Sequence, residues 1–143
     1  TLEDGGTVLL DRYVYSNIAY QCAKLASDTE AEELRKWILE TEYGQFGLPV
    51  PDLNLFLDVP ISFVEKSLAS HRDGDDRSYL HGGSDIHEAD IAFQRRVRDF
   101  YRRQASLDPS FITVGCSDTD GGMLAADRIF GKIKDIYENH KKD

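Results

Sequence analysis

The sequence predicts an α/β fold, a three-layer sandwich with helices over a parallel sheet, and three observations carry the prediction. Three short apolar runs, residues 7–10, 53–59 and 111–116, are nearly continuous rather than alternating, as expected of strands buried on both faces of a parallel sheet. The segments between and after them place apolar residues at helical spacing. Strands that alternate with helices in this way are the pattern of an α/β sandwich.

Each element has a local reason. The strand at residues 7–10 (Thr7, Val8, Leu9, Leu10) runs into a helix over residues 16–25. A second helix, residues 30–40, carries Leu34, Trp37, Ile38 and Leu39, with Leu34 and Ile38 one turn apart. After the strand at 53–59, Ser62 with Glu65 three residues on reads as a capping box for a helix to about residue 71. Residues 72–84 are polar, with three glycines and no apolar period, and predict a mobile, lid-like loop. A long helix is expected from Asp85, with Ile86, Ala89, Phe93, Val97, Phe100 and Tyr101 along one stripe. The strand at 111–116 follows Pro109, and a last helix from about Gly122 is expected to bury Ala126, Ile129, Ile133 and Ile136.

At 143 residues the chain is about one domain, or part of one. Apolar residues at 41% and charged ones at 30% exclude disordered, collagenous and coiled-coil classes. A net charge of −9 argues against wrapping duplex DNA or docking on an anionic membrane. Small ligands stay open, since a few local arginines hold a phosphate whatever the total. Cys22 and Cys116 are far apart with no ligand-spaced partner, and both read as buried thiols in a reducing cytosol. No run approaches the roughly 18 apolar residues of a membrane span, and no basic-then-apolar leader opens the chain. The expectation is a cytoplasmic protein without nucleic-acid or membrane partners, its oligomeric state open with a homodimer as one option. The chain opens without methionine and moves within a few residues into what reads as an interior strand, so sequence is expected upstream.

In an open parallel sheet, ligands bind beyond the carboxyl ends of the strands, so the residues after each strand are read first. Residues 7–10 lead into Asp11 and Arg12, which from residue type alone are either a strand-end ion pair or a ligand-binding pair. The continuation, Asp11-Arg12-Tyr13-Val14-Tyr15-Ser16-Asn17-Ile18-Ala19-Tyr20-Gln21, closely resembles the Asp-Arg-Tyr segment of thymidylate kinases. Pro51-Asp52-Leu53 followed by Leu57-Asp58-Val59 is similar to that family's Pro-Asp-Leu and Leu-Asp-Val run. The resemblance extends through the lid-like loop, the helix carrying Phe93 to Tyr101 and the final strand, essentially the whole chain.

The resemblance implies a P-loop NTPase kinase fold, present here in part, and transfer of the γ-phosphoryl of ATP to dTMP. Such chemistry asks the protein for alignment and charge neutralisation rather than covalent work, and arginine suits it through its fixed fork of donors. Arg12 would hold the acceptor phosphate, and Asp11 would help position Mg²⁺ through coordinated water. Asn17, Tyr20 and Gln21 share a helix face that the resemblance assigns to the thymidine moiety. An amide there can pair with a pyrimidine edge, and Tyr20 would pack where a ribose 2′-hydroxyl would sit. The other reading of this face is an ordinary first helical turn with Tyr20 in the core.

In the loop, Arg72 or Arg77 would close over the ATP phosphates, the alternative being solvated arginines. Many relatives carry Asp-Arg-x-Glu at the lid's end, whereas here Asp76-Arg77 is separated from Asp85-Ile86-His87-Glu88. Glu88 reads equally as a residue facing the acceptor site or as a capping-box glutamate. Arg95, Arg96, Arg98, Arg102 and Arg103 lie beside Asp90 and Asp99 and read as a solvated helix face rather than a nucleic-acid surface. Cys116 and Ser117 end the third strand where the resemblance places the loop that contacts adenine. The histidines carry no triad or metal pattern and are assigned no catalytic role.

A kinase of this kind also needs a Gly-x-x-x-x-Gly-Lys-Ser/Thr loop, and no such run is present: Gly5-Gly6, Gly82-Gly83 and Gly121-Gly122 all lack the lysine. The simplest account is that these residues are the C-terminal two-thirds of such a kinase, inactive by themselves. The strand feeding the phosphate loop would then be missing between residues 7–10 and 53–59, which should stand apart or close directly on each other. Two alternatives remain. One is another P-loop nucleoside or nucleotide kinase, disfavoured because deoxynucleoside kinases typically carry Glu-Arg-Ser where this chain has Asp-Arg-Tyr. The other is a non-catalytic interaction remnant.

Overall fold

The structure, a computed structural model, describes residues 2–70 and 91–141. The lid-like loop, with Arg72 and Arg77, and Glu88 and the start of the helix expected from Asp85 lie outside the described residues. Two compact units are present, Thr1–Val50 and Pro51–Asp143.

In the first unit, a single 3₁₀ turn, Leu2–Asp4, precedes residues 7–10. The strand expected there does not form. Residues 7–10 take no regular structure, and Val8, Leu9 and Leu10 are 54, 92 and 56% exposed. Aliphatic and β-branched content supplies strand propensity, but a strand exists only on a partner's ladder, and among the described residues no strand is laddered with residues 7–10. Helix α1 is Val14–Cys22, entered two residues earlier than the pattern predicted, with the Tyr13 carbonyl accepting from the Ser16 and Asn17 amides. Helix α2 is Asp28–Leu39, capped by Ser27, whose side chain accepts from the Glu30 amide. It continues into a π-helical turn, Glu40–Gln45.

The two helices bury Val14, Ile18, Ala19, Cys22 and Ala23 with Ala31 and Ile38. Small residues let the backbones approach closely enough for the Cys22 thiol to donate to the Ala31 carbonyl at 3.2 Å. Burying an Ile such as Ile18 contributes about 2 kcal/mol. Trp37, one residue before Ile38 and so about 100° round the helix, is 60% exposed.

The second unit is built on two parallel strands, β1 (Asn54–Asp58) and β2 (Phe111–Gly115), in register from Asn54 opposite Phe111 to Asp58 opposite Gly115. Pleating sorts their side chains onto two faces. Phe56 and Phe111 share one face, and Tyr101 of helix α4 (Ile91–Leu107) stacks there, 4.7 Å from the Phe56 ring and 6.3 Å from the Phe111 ring. Leu55, Val59, Val114 and Cys116 share the other face, covered by Ile129, Ile133 and Ile136 of helix α5 (Ala126–His140). Helix, sheet and helix form the three layers that the strand and helix order predicted.

Two local expectations need correction. Helix α3 (Ile61–Ser70) begins before Ser62: the buried Pro60 offers its carbonyl to the Phe63 and Val64 amides, so Ser62 sits inside the first turn and forms no capping box. With no N–H of its own, Pro60 gives up no hydrogen bond at this position. Helix α5 begins at Ala126 rather than near Gly122, and Ala126 is exposed. Gly121 is left-handed (φ 79°) and Gly122 lies where a Cβ would meet the Asp118 carboxylate at 2.8 Å, so both belong to the preceding turn.

Candidate functional site

The residues expected to bind the acceptor cluster on and just before α1. Arg12 is the one non-glycine residue in the left-handed region among the described residues, at φ 69°. That conformation costs a branched or long side chain about 1 to 2 kcal/mol and turns Arg12 back onto the start of the helix. Its Nε donates to Ser16 Oγ at 2.7 Å, and the guanidinium lies 4.6 Å from the centre of the Tyr20 ring. Ser16 is buried, Tyr20 half-buried, and Asn17 exposed one residue beyond Ser16. Gln21 is exposed and its side-chain oxygen accepts from Lys24 Nζ.

Asp11 is exposed and makes no ion pair with Arg12, so the strand-end pair that the sequence left open is not formed. Sequence reasoning missed Ser16, although its spacing of four from Arg12 and Tyr20 is the signal that would have found it.

In the second unit, Cys116 is wholly buried, its amide donating to the Asp58 carbonyl and its carbonyl accepting from the Leu124 amide. Burial pushes the Cys116 thiol up, against the opposing pull of Lys132 and with Asp58 adding to the rise. Ser117, exposed, pairs with Met123 across a short antiparallel bridge. The turn between them is held by Asp118, whose Oδ1 accepts from the Asp120 and Gly122 amides. An open groove of about 560 Å³ lies between this turn and α5, with Ser117, Thr119, Arg128 and Lys132 on its walls. Lys132 Nζ donates to the Gly115 carbonyl at the end of β2. Two cations with three aspartates, Asp118, Asp127 and Asp135, make this groove mixed in charge.

The arginines of α4 are not a merely solvated face. Arg98 and Arg102, one turn apart, both donate to the carboxylate of Asp58 at the end of β1, Arg102 from Nη2 at 2.7 Å, and Arg95 pairs with Glu65 of α3 at 2.8 Å. Asp58 is buried. Burial alone would raise its pKa, but the hydrogen bonds and charges of Arg98 and Arg102 outweigh it and hold the carboxyl below the usual carboxylate range. Among the described residues no three His, Cys, Asp or Glu side chains converge to hold a metal ion, and no helix is long and apolar enough to cross a membrane.

Among curated proteins, this chain is 37% identical over 141 residues to the thymidylate kinase of Thermomicrobium roseum, a match covering 99% of this chain and 60% of that protein. It is 33% identical over 122 residues to the thymidylate kinase of Mycobacterium tuberculosis, covering 83% and 54%, and 33% identical over 136 residues to that of Nitrobacter winogradskyi, covering 94% and 53%. Over most of its length the chain is similar to curated thymidylate kinases. It spans little more than half the length of these relatives. No model of a known protein family matches the chain, and no solved structure does.

Proposed function

We propose that the protein transfers the γ-phosphoryl group of ATP to dTMP, giving dTDP, as a step of nucleotide biosynthesis. The observation that carries this reading is the 37% identity to a curated thymidylate kinase over 99% of the chain. The arrangement at α1 supports it. Arg12 presents a guanidinium already turned and supported by Ser16 and Tyr20, as an acceptor phosphate needs. Asn17 and Gln21 would meet the base edge with their amides, and Tyr20 the sugar near C2′. Ser117, on the wall of the groove against α5, would border the adenine of ATP, with Cys116 buried behind it. Arg72 and Arg77 would close over the donor phosphates, and Glu88 would face the acceptor.

Mg²⁺ binds through few carboxylates plus substrate phosphates, and an exposed carboxylate such as that of Asp11 would fit that mode. When bound, the ion would neutralise charge on the phosphates. The fold of the reacting protein would also require the phosphate-cradling loop that residues 1–143 do not contain.

The test is a coupled assay of dTDP formation with the protein expressed from its complete reading frame and with residues 1–143 alone. Turnover of dTMP by the complete protein and none by residues 1–143 is expected. Absence of dTMP turnover and of saturable nucleotide binding in the complete protein would overturn the reading in favour of an interaction domain.

A further inference from the structure

We propose that Ser16 is a positioning residue for the phosphate of the nucleoside monophosphate, acting through Arg12. The inference rests on the reading of Arg12 as the phosphate holder and adds to it the group that sets its orientation. A guanidinium has two edges with paired donors, one formed by Nε with an Nη and one formed by the two Nη nitrogens. Ser16 Oγ, buried on α1, takes the Nε hydrogen at 2.7 Å. Among the described residues the structure gives the Nη nitrogens no hydrogen-bond or ion-pair partner. The edge left to meet a tetrahedral dianion is therefore the outer one.

Tyr20, one turn beyond Ser16, lies against the guanidinium at 4.6 Å and so limits its tilt. Ser16 limits its rotation about the side-chain axis. Both supports sit on one helical stripe, and the left-handed backbone at Arg12 is what brings the side chain back to them. Backbone strain of that kind persists where surrounding structure over-determines a conformation. The four rotatable bonds of a free arginine would otherwise have to be ordered at the moment of binding, so a pre-turned fork gains affinity by lowering that cost.

The test compares dTMP with thymidine, which lacks the phosphate, by calorimetric titration of the full protein. The unaltered protein should bind dTMP at least about tenfold more tightly than thymidine. Ser16→Ala should weaken dTMP by about tenfold and leave thymidine within about twofold. In an Arg12→Lys background, which has no Nε–H to hold, the same substitution should change dTMP affinity by less than about twofold. Ser16→Cys, close in volume and a poor acceptor, should follow Ser16→Ala, and carries the test if the alanine variant does not fold.

An unchanged dTMP affinity in both Ser16 variants would overturn the proposal. Equal weakening of thymidine, or an equal loss in the Arg12→Lys background, would do the same by marking Ser16 as structural. If the unaltered protein bound dTMP no better than thymidine, the reading of Arg12 itself would fall and take this inference with it.

Discussion

Arg12 concentrates the chemistry of the first unit in one side chain, and its neighbours make it sensitive to shape as well as charge. Arg12→Lys retains the positive charge but loses the planar fork and the Nε–H that Ser16 accepts. Steady-state kinetics of the complete protein should show kcat/KM for dTMP lowered by at least about tenfold, and near-unchanged turnover would return Arg12 to a structural role. Tyr20 carries a separate prediction. A ring packed near C2′ would reject a ribose hydroxyl by bulk, so the complete protein should prefer dTMP to dUMP weakly and to UMP strongly. Tyr20→Ala should lower the discrimination against UMP, measured as the ratio of kcat/KM values, and an unchanged ratio would remove Tyr20 from the sugar site.

The element most dependent on electrostatics is the junction of β1 with α4, where one buried carboxylate receives two arginines. Removing the anion strands two cations, although Arg102 is half-exposed and can rehydrate. Asp58→Asn is accordingly expected to cost about 2 kcal/mol, below the full penalty for breaking a wholly buried pair. The pH dependence has a definite sign. Since the Asp58 pKa is lowered on folding, its contribution is complete above the unfolded carboxyl pKa and is lost as pH falls through the lower folded value. Melting temperatures recorded from neutral pH downward should fall below about pH 4, and Asp58→Asn should start lower and fall less. A profile parallel to that of the unaltered chain would show that Asp58 is not the group responsible. At the end of β2, the buried Cys116 thiol with its raised pKa should resist a thiol reagent until the chain unfolds, and rapid labelling of Cys116 in native protein would contradict the packing described.

For the whole molecule, the exposed apolar residues decide behaviour in solution. Val8, Leu9 and Leu10 form a continuous exposed run, and Trp37, Phe46 and Phe130 add large uncovered surfaces. Such runs promote association between chains, and a net charge of −9 opposes it only in part. Residues 1–143 by themselves should therefore aggregate at micromolar concentration and show no dTMP kinase activity. Monomeric elution with light scattering at one chain mass, or dTDP formation with contaminating kinase excluded, would refute this.

The sequence alone determined what depends on near neighbours. Continuous apolar runs marked 53–59 and 111–116 as strands because burial on both faces leaves no polar alternation, and helical spacing marked the stripes of α4 and α5 because residues three and four apart share a face. The run from Asp11 to Gln21 suggested the candidate acceptor site through its resemblance to a segment of thymidylate kinases. Tertiary structure decided what depends on residues far apart or on a partner's backbone. Asp58 lies 40 and 44 residues from the arginines that hold it, and no local pattern separates a solvated arginine from one that meets a buried carboxylate. Residues 7–10 have the composition of a strand and lack one, because strand formation needs a ladder of hydrogen bonds that a segment cannot make with itself.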